Sequence, residues 1–298
     1  MQQALPYIGR FAPSPSGPLH LGSLSCALVS YLHAKQAGGK WLVRMEDVDT
    51  TRVMPNADST ILHQLEAHGL HWDNSVVYQT QRQEAYQAAL SSLQAKQLVY
   101  ACDCTRQTIK TKGRYYTSYC QHRNLSDTGN ALRLIIKNNQ ASFDDLLLGR
   151  VTVEPEFCNE DLVLKRKDGL FAYNLAVVVD DIYQGVTHVV RGADLIDTTP
   201  QQNYLYGLLQ SAPPQYLHFP VLSRAPGKKL SKQNHAKAVS TENTYQTLSV
   251  ALTYIGLARE KQLATQDPSE LLQWAIIHWS PKLLSKQREI LISDVNEV

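Results

Sequence analysis

Arg10-Phe11-Ala12-Pro13-Ser14-Pro15-Ser16-Gly17-Pro18-Leu19-His20-Leu21-Gly22-Ser23 stands near the start of this 298-residue chain. Tyr7 to Phe11 predicts a short strand, the Pro/Gly run a turn, and the residues from Leu19 onward the start of a helix that carries His20. Far downstream, Pro226-Gly227 introduces Lys228-Lys229-Leu230-Ser231-Lys232, a basic loop whose lysine can reach a phosphate. One imidazole and one ammonium converging on a nucleotide favour attack at phosphorus, because they stabilise charge that grows on phosphate oxygens.

Working outward, Ser23 to Gln36 predicts a helix with Leu24, Ala27, Leu28, Tyr31 and Leu32 on one face, stopped by Gly38-Gly39. Lys40 to Met45 predicts a strand ending in Glu46-Asp47-Val48-Asp49, and Pro55 to His68 and Arg82 to Lys96 predict two more helices. This strand–helix–strand–helix opening favours an α/β fold with a parallel sheet. From Leu98 to Asp168 short extended runs (Leu132 to Ile136, Leu146 to Val153, Leu162 to Lys165) are punctuated by Gly, Asn and Asp, the texture of a mixed or antiparallel insertion. Ala176-Val177-Val178-Val179 reads as a buried strand, and the Asp180-Asp181 that follows is left unassigned. A helix from Pro200 to Gln210 and a short strand near Phe219 to Leu222 complete the nucleotide fold, and the chain past Thr244 reads as helical to its end. The expected parts are residues 1–97 and 171–240 as two halves of a catalytic unit, 98–170 as the insertion and 241–298 as a helical region.

The composition, 43% hydrophobic and 19% charged, is that of a soluble globular protein, and a net charge of +2 neither demands nor excludes nucleic acid. No signal peptide and no apolar run of membrane-spanning length is present, so a cytoplasmic protein with no membrane partner is expected. Of five cysteines, Cys102, Cys104 and Cys120 are bunched, which in this setting suggests metal or free thiols rather than a disulfide framework. Zinc takes four tetrahedral Cys or His ligands, and from chemistry alone His122 is the tempting fourth. Cys26 and Cys158 lie apart and read as buried or inert. Arg106, Lys110, Lys112, Arg114 and Arg123 surround the cysteines with no acidic residue between Arg106 and Arg123. They read equally as a solvated basic face or a phosphate contact, and Tyr115, Tyr116 and Tyr119 as base-stacking rings or as the small core of the knuckle.

The opening and the basic loop, taken in this order, resemble the two ATP-binding signatures of class I aminoacyl-tRNA synthetases, the glutamyl branch in particular. The resemblance runs from about Tyr7 to about Lys232, with Glu46 to Asp49 and Arg191-Gly192-Ala193-Asp194 as further motifs between. It implies a Rossmann-like sheet with Arg10 and Arg191 on the side-chain carboxylate of L-glutamate, a role suited to a guanidinium that stays charged and pairs bidentately. It implies Ala12, Ser14 and Glu46 at the α-amino end, Tyr173 as a hydroxyl partner, and His20, Gly22, Lys229, Ser231 and Lys232 with ATP and its Mg²⁺. His20 and Lys232 carry the catalysis in this reading. Ser23, where many relatives have a second histidine, and Gln233 in the loop depart from the pattern.

Within that family the chain is most similar to the short glutamyl-queuosine type, which implies Tyr116 rather than His122 as fourth ligand of a structural zinc. Only 66 residues follow Lys232 (298 minus 232), so an anticodon-binding domain is not expected. The resemblance implies tRNA-independent activation of glutamate as glutamyl-adenylate, followed by transfer to the queuosine base at the wobble position of tRNA(Asp). A monomer is expected. Charging of tRNA(Glu) or another acceptor, and a non-catalytic RNA-binding relative, are the competing readings.

Overall fold

The structure is a computed structural model that describes residues 6–230, 236–257 and 266–292. The chain runs β1 (Ile8–Phe11), α1 (Leu21–Gln36), β2 (Lys40–Met45), α2 (Ala57–Ala67), β3 (Val77–Tyr78), α3 (Gln83–Ala95), β4 (Val99–Cys102) and α4 (Arg106–Lys112). It continues with β5 (Ala131–Leu134), β6 (Ser142–Asp145), β7 (Gly149–Thr152), α5 (Pro155–Cys158), β8 (Leu162–Lys165), α6 (Tyr173–Gln184) and β9 (His188–Gly192). The last elements are α7 (Thr199–Leu208), β10 (Gln215–Phe219), β11 (Val221–Ala225), β12 (Lys228–Lys229), α8 (Thr244–Tyr254), α9 (Pro268–His278) and β13 (Glu289–Leu291).

Seven strands form the central sheet in the order β3-β2-β1-β9-β10-β6-β7. All neighbours pair in parallel except β6 and β7, an antiparallel hairpin at one edge. The central strands are buried along almost their whole length, as expected of strands covered on both faces. The strand order reverses between β1 and β9, and a crevice opens at the carboxyl ends of strands at such a switch. The expected α/β architecture is therefore present. Helix α1 packs on β1, β2 and β9 with one side and on α8 and α9 with the other. Being sandwiched, it buries Ser25 and Ser30 along with Leu24, Ala27, Leu28 and Leu32. The Ser30 hydroxyl is satisfied by donating to the Ala27 carbonyl and accepting from the Trp41 indole at 2.8 Å.

Two sequence expectations are corrected. Ala176 to Val179 is not a strand but the middle of α6, capped by Gly185 at φ 64°. A short apolar run does not distinguish a buried strand from a buried helix, and this helix is buried on nearly every side, against α3, α7 and β8. Within 98–170, β4, β5 and β8 make a separate antiparallel layer, and the β6–β7 hairpin extends the central sheet beside β10. The end of the described chain is not all helix, because β13 pairs in parallel with β11. The turn after α8 packs so closely on the later chain that a Cβ on Gly256 (φ 78°) would run into the Leu283 carbonyl. Among the described residues no helix is long and apolar enough to cross a membrane.

Helix α6 is tied to the first two strands of the sheet by buried charge. Asp181 of α6 accepts from Arg10 Nε at 3.2 Å and from Arg44 Nη1 at 2.7 Å, and all three side chains are at most 4% exposed. Asp180, fully buried beside it, accepts from Arg82 Nε, Tyr86 and Gln79. Burial pushes the Asp181 carboxyl up, but Arg10 and Arg44 outweigh it and hold it below the ordinary aspartate range. Asp181→Asn should lower the melting free energy by about 3–5 kcal/mol, because two buried guanidiniums lose their shared counter-charge. With a depressed folded pKa, this contribution is full above the unfolded value of about 3.9 and is lost as pH falls through the folded value. Denaturation of wild type and variant at neutral pH and at pH 3 checks both: the difference should shrink in acid.

Candidate active site

A cavity of about 470 Å³ lies at the carboxyl ends of β1, β2 and β9. Every described residue that the sequence assigned to glutamate or ATP lines it: Arg10, Ala12, Ser14, His20, Gly22, Glu46, Tyr173, Arg191 and Lys229. Ser231 and Lys232, together with Gln233, fall outside the described residues. The Pro/Gly turn that forms one wall is pinned by backbone bonds from Glu46 N to Pro13 O and from Met54 N to Pro15 O, both 2.9 Å.

His20 is the N-cap of α1. Its backbone N–H donates to Ser23 Oγ at 2.8 Å and its Nδ1 accepts from the Ser23 N–H at 3.3 Å, a capping box built with histidine. Because Nδ1 accepts, the neutral ring carries its proton on Nε2 and is a donor there. Ser23, a departure from the family pattern, is thus the residue that orients the imidazole. A Cβ on Gly22 would sit 3.2 Å from the His20 ring and 3.5 Å from Leu230, so glycine gives the ring its room. The segment after the basic loop returns to the same place: Val239 N–H donates to Leu19 O at 2.9 Å, and Gln64 bridges Leu19 and Val239. Lys229 is ion-paired with Asp194 at 2.6 Å, both of them substantially exposed.

The two arginines differ. Arg10 uses Nε on Asp181, and its two Nη groups have no hydrogen-bond partner among the described residues. Burial lowers its pKa, but Asp181, with Tyr173 and Glu46 adding to it, more than offsets this, so it stays charged. Arg191 is also 4% exposed, yet it donates from Nε to His218 Nε2 (3.0 Å) and from Nη1 to Gln202 (2.7 Å). Its Nη2 donates to Thr199 Oγ1 (2.8 Å) and the Leu195 carbonyl (3.3 Å). Four of its five N–H groups are therefore engaged. Glu46 lies 3.4 Å from Arg44 Nη2; burial raises its carboxyl pKa, with Arg44 and Arg10 pulling the other way. Tyr173 has its phenol raised by burial and by Glu46. Sequence reasoning missed Asp181, Arg44, Asp145, His218 and Gln202. The unassigned Asp180-Asp181 was the one visible signal.

The cysteine cluster lies in the β4–β5–β8 layer. The sulfurs of Cys102, Cys104 and Cys120 all lie within 4.8 Å of one another, with Cys104 and Cys120 at 3.5 Å. A tetrahedral zinc with bonds of about 2.3 Å requires sulfurs about 3.8 Å apart, so these three fit. Tyr116 is buried among them, its hydroxyl accepting from Cys120 N–H at 3.0 Å and its ring lying under Arg133. His122 is exposed and is not part of the cluster. Burial and the neighbouring sulfurs push the Cys104 thiol up to about 12. Several thiolates at this spacing repel, and a bound dication relieves that repulsion. Tyr116 and Tyr119 form the small core here with Tyr100, Ile109 and Leu125, while Tyr115 and Arg114 both bond Glu154 and Arg123 pairs with Asp103. Arg106, Lys110 and Lys112 are exposed.

Residues 8–256 match the family model for tRNA synthetases class I (E and Q), catalytic domain. The chain is 46% identical over 288 residues to the glutamyl-Q tRNA(Asp) synthetase of Serratia proteamaculans, covering 97% of this chain and 95% of that one. It is 48% identical over 276 residues to the glutamyl-Q tRNA(Asp) synthetase of Idiomarina loihiensis, covering 93% and 98%. Among solved structures, the glutamate-tRNA synthetase of Elizabethkingia anophelis superposes with a TM-score of 0.80 at 21% identity, over 98% of this chain and 69% of that chain, a likeness of fold. With the family model spanning most of its length and relatives near half identical end to end, this chain belongs to the class I aminoacyl-tRNA synthetase family, in the catalytic-domain group that handles glutamate and glutamine.

Proposed function

We propose that the protein activates L-glutamate with ATP, without tRNA, as glutamyl-adenylate, and passes the glutamyl group to queuosine at the wobble position of tRNA(Asp). The observation that carries the glutamate half is the pair of buried guanidiniums at the ends of β1 and β9, one with both Nη groups open to the cavity. A neutral glutamine side chain would leave those cations unpaired, a penalty that discriminates strongly. The acceptor half is carried by the relatives' names and their near-complete overlap with this chain.

In this reading the γ-carboxylate meets Arg10 and Arg191, and the α-ammonium meets Glu46 with Ala12, Ser14 and Tyr173 around it. The α-carboxylate oxygen attacks the α-phosphorus of ATP and pyrophosphate leaves. His20 donates from Nε2 to a phosphate oxygen as charge grows there, and Lys229, Ser231 and Lys232 bind the polyphosphate, which Mg²⁺ accompanies. A queuosine hydroxyl then attacks the activated carbonyl and AMP departs. Zinc on Cys102, Cys104, Tyr116 and Cys120 is structural in this proposal, since four protein ligands leave no position open for water. The exposed Arg106, Lys110 and Lys112 contact tRNA phosphates.

Glutamate-dependent ATP–pyrophosphate exchange without tRNA is the first test, and exchange that appears only with tRNA overturns the activation step. Transfer to tRNA(Asp) carrying queuosine but not to tRNA(Asp) carrying guanosine at the wobble position tests the acceptor. Transfer to tRNA(Glu) instead would assign the protein to ordinary charging.

Gly22→Ala separates folding from chemistry. Alanine is the better helix former by up to about 1 kcal/mol, which offsets a disturbed His20 cap, so the melting temperature should change little. The exchange rate should fall about tenfold or more, the cost of ~1.4 kcal/mol at a displaced His20 ring. A variant as active as wild type removes His20 from the reaction.

The raised pKa of Glu46 gives a pH prediction. As pH falls through that raised value the carboxylate is neutralised and the ammonium loses its partner, so glutamate affinity should drop while ATP affinity does not. Calorimetric titrations of each ligand from pH 8 to pH 5 measure this. Zinc is checked by metal analysis, which should return one equivalent, and by Tyr116→Phe, which should weaken zinc retention more than His122→Ala.

A further inference from the structure

Arg191 of β9 and His218 of β10 are directly opposed in the sheet register, and Asp145 of β6 stands on the next strand. All three are buried. The order of hydrogen bonds through them has only one consistent direction. Both oxygens of Asp145 are acceptors: Oδ1 takes the N–H groups of Leu147 and Leu148, each at 2.9 Å. Oδ2 takes the His218 backbone N–H at 3.0 Å and faces His218 Nδ1 at 2.8 Å. Nδ1 therefore carries the proton. Arg191 Nε, 3.0 Å from His218 Nε2, can only donate, so Nε2 must present its lone pair. Burial and the nearby Arg191 push the His218 pKa down to about 4 against the opposing effect of Asp145, which keeps the ring neutral at physiological pH.

We propose that the Asp145–His218 pair is a positioning element for glutamate selection: it fixes the His218 tautomer, and the tautomer fixes the Nε edge of Arg191 toward the sheet. With Nε on His218 and Nη2 on Thr199 and Leu195, the guanidinium plane has no rotational freedom. Gln202, which holds Nη1, is itself oriented by donating to Asn174 at 2.9 Å. The one remaining N–H, on Nη1, is what Arg191 has left for a substrate carboxylate. Reversing the polarity at Asp145 would reverse it at Nε2, set N–H against N–H at Arg191, and swing the guanidinium away. The inference rests on the reading of Arg191 as a glutamate ligand, and deepens it.

Asp145→Asn does this with little change in shape. Its amide oxygen is kept by the two N–H groups of Leu147 and Leu148, so its NH₂ faces His218 Nδ1 and drives the proton to Nε2, at the cost of the bond from the His218 backbone N–H. In pyrophosphate exchange the KM for glutamate should rise about tenfold or more, the equivalent of losing one charged hydrogen bond, with the KM for ATP within about twofold. Equal shifts in both KM values, or none, would overturn the proposal. If Asp145→Asn lacks a cooperative melt, two histidine variants decide. His218→Gln keeps an acceptor for Arg191, whereas His218→Asn keeps only a donor toward Asp145. The first should retain a glutamate KM near wild type and the second should not, and equal values for the two would overturn the proposal. Nitrogen NMR of histidine-labelled wild-type protein reads the tautomer with no reference to activity. Protonated Nδ1 with bare Nε2 at neutral pH is expected, and a proton on Nε2 contradicts the chain of bonds. Absence of exchange in wild-type protein would strike at the proposed activity and not at this chain of bonds, which the tautomer reports by itself.

Discussion

A single buried carboxylate, Asp181, stands between Arg10 at the end of β1 and Arg44 in β2. Two guanidiniums this deep are stable only with an anion between them, and each partner comes from a different part of the chain. The contact forces α6, which follows the antiparallel layer in sequence, back under the first two strands of the sheet. It also leaves the Nη groups of Arg10 facing outward into the cavity, since Nε is the edge that Asp181 takes. Asp180, one residue earlier, performs the same service for Arg82 and brings in Tyr86 and Gln79 from the α3 region. The docking of α6 and the opening of the Arg10 Nη groups toward the cavity are thus one interaction.

This explains which parts were legible in the sequence. Elements with a strong local code could be read: the Pro/Gly turn before α1, the Leu-rich face of α1, the glycine stop after it and the strand ending at Met45. The cysteine cluster could be read because sulfur ligands announce themselves by type. What could not be read was polarity whose meaning lies across the sheet. Asp180-Asp181 looks like a turn after a strand, and becomes a helix interior only because Arg10, Arg44 and Arg82 meet it there. His218 sits in an apolar strand, Tyr216-Leu217-His218-Phe219, and nothing local marks it, since its partners Asp145 and Arg191 lie 73 and 27 residues away. The same reasoning covers the β6–β7 hairpin, whose alternation matches either sheet and whose place is decided by Asp145 reaching β10.

The two ends of the cavity are built to different stiffness. At the Arg191 end four of the five guanidinium N–H groups are taken by mostly buried acceptors, so displacing that side chain would strand several polar groups, at about 1–3 kcal/mol each. At the Lys229 end, the one proposed for the nucleotide, Lys229 and Asp194 form an exposed pair, a contact worth only about 0–1 kcal/mol. Under the proposed function, a polyphosphate would compete with Asp194 for an exposed Lys229, whereas glutamate would meet an Arg191 already fixed by buried partners. Amino-acid discrimination needs fixed geometry, because a cation that moves to suit a substrate also suits the wrong one. Nucleotide binding has no such requirement, since the charge of the polyphosphate is large and its position is set by many donors. A rigid pocket beside a yielding one is therefore the arrangement that an enzyme choosing among similar amino acids, with one common nucleotide, would be expected to have.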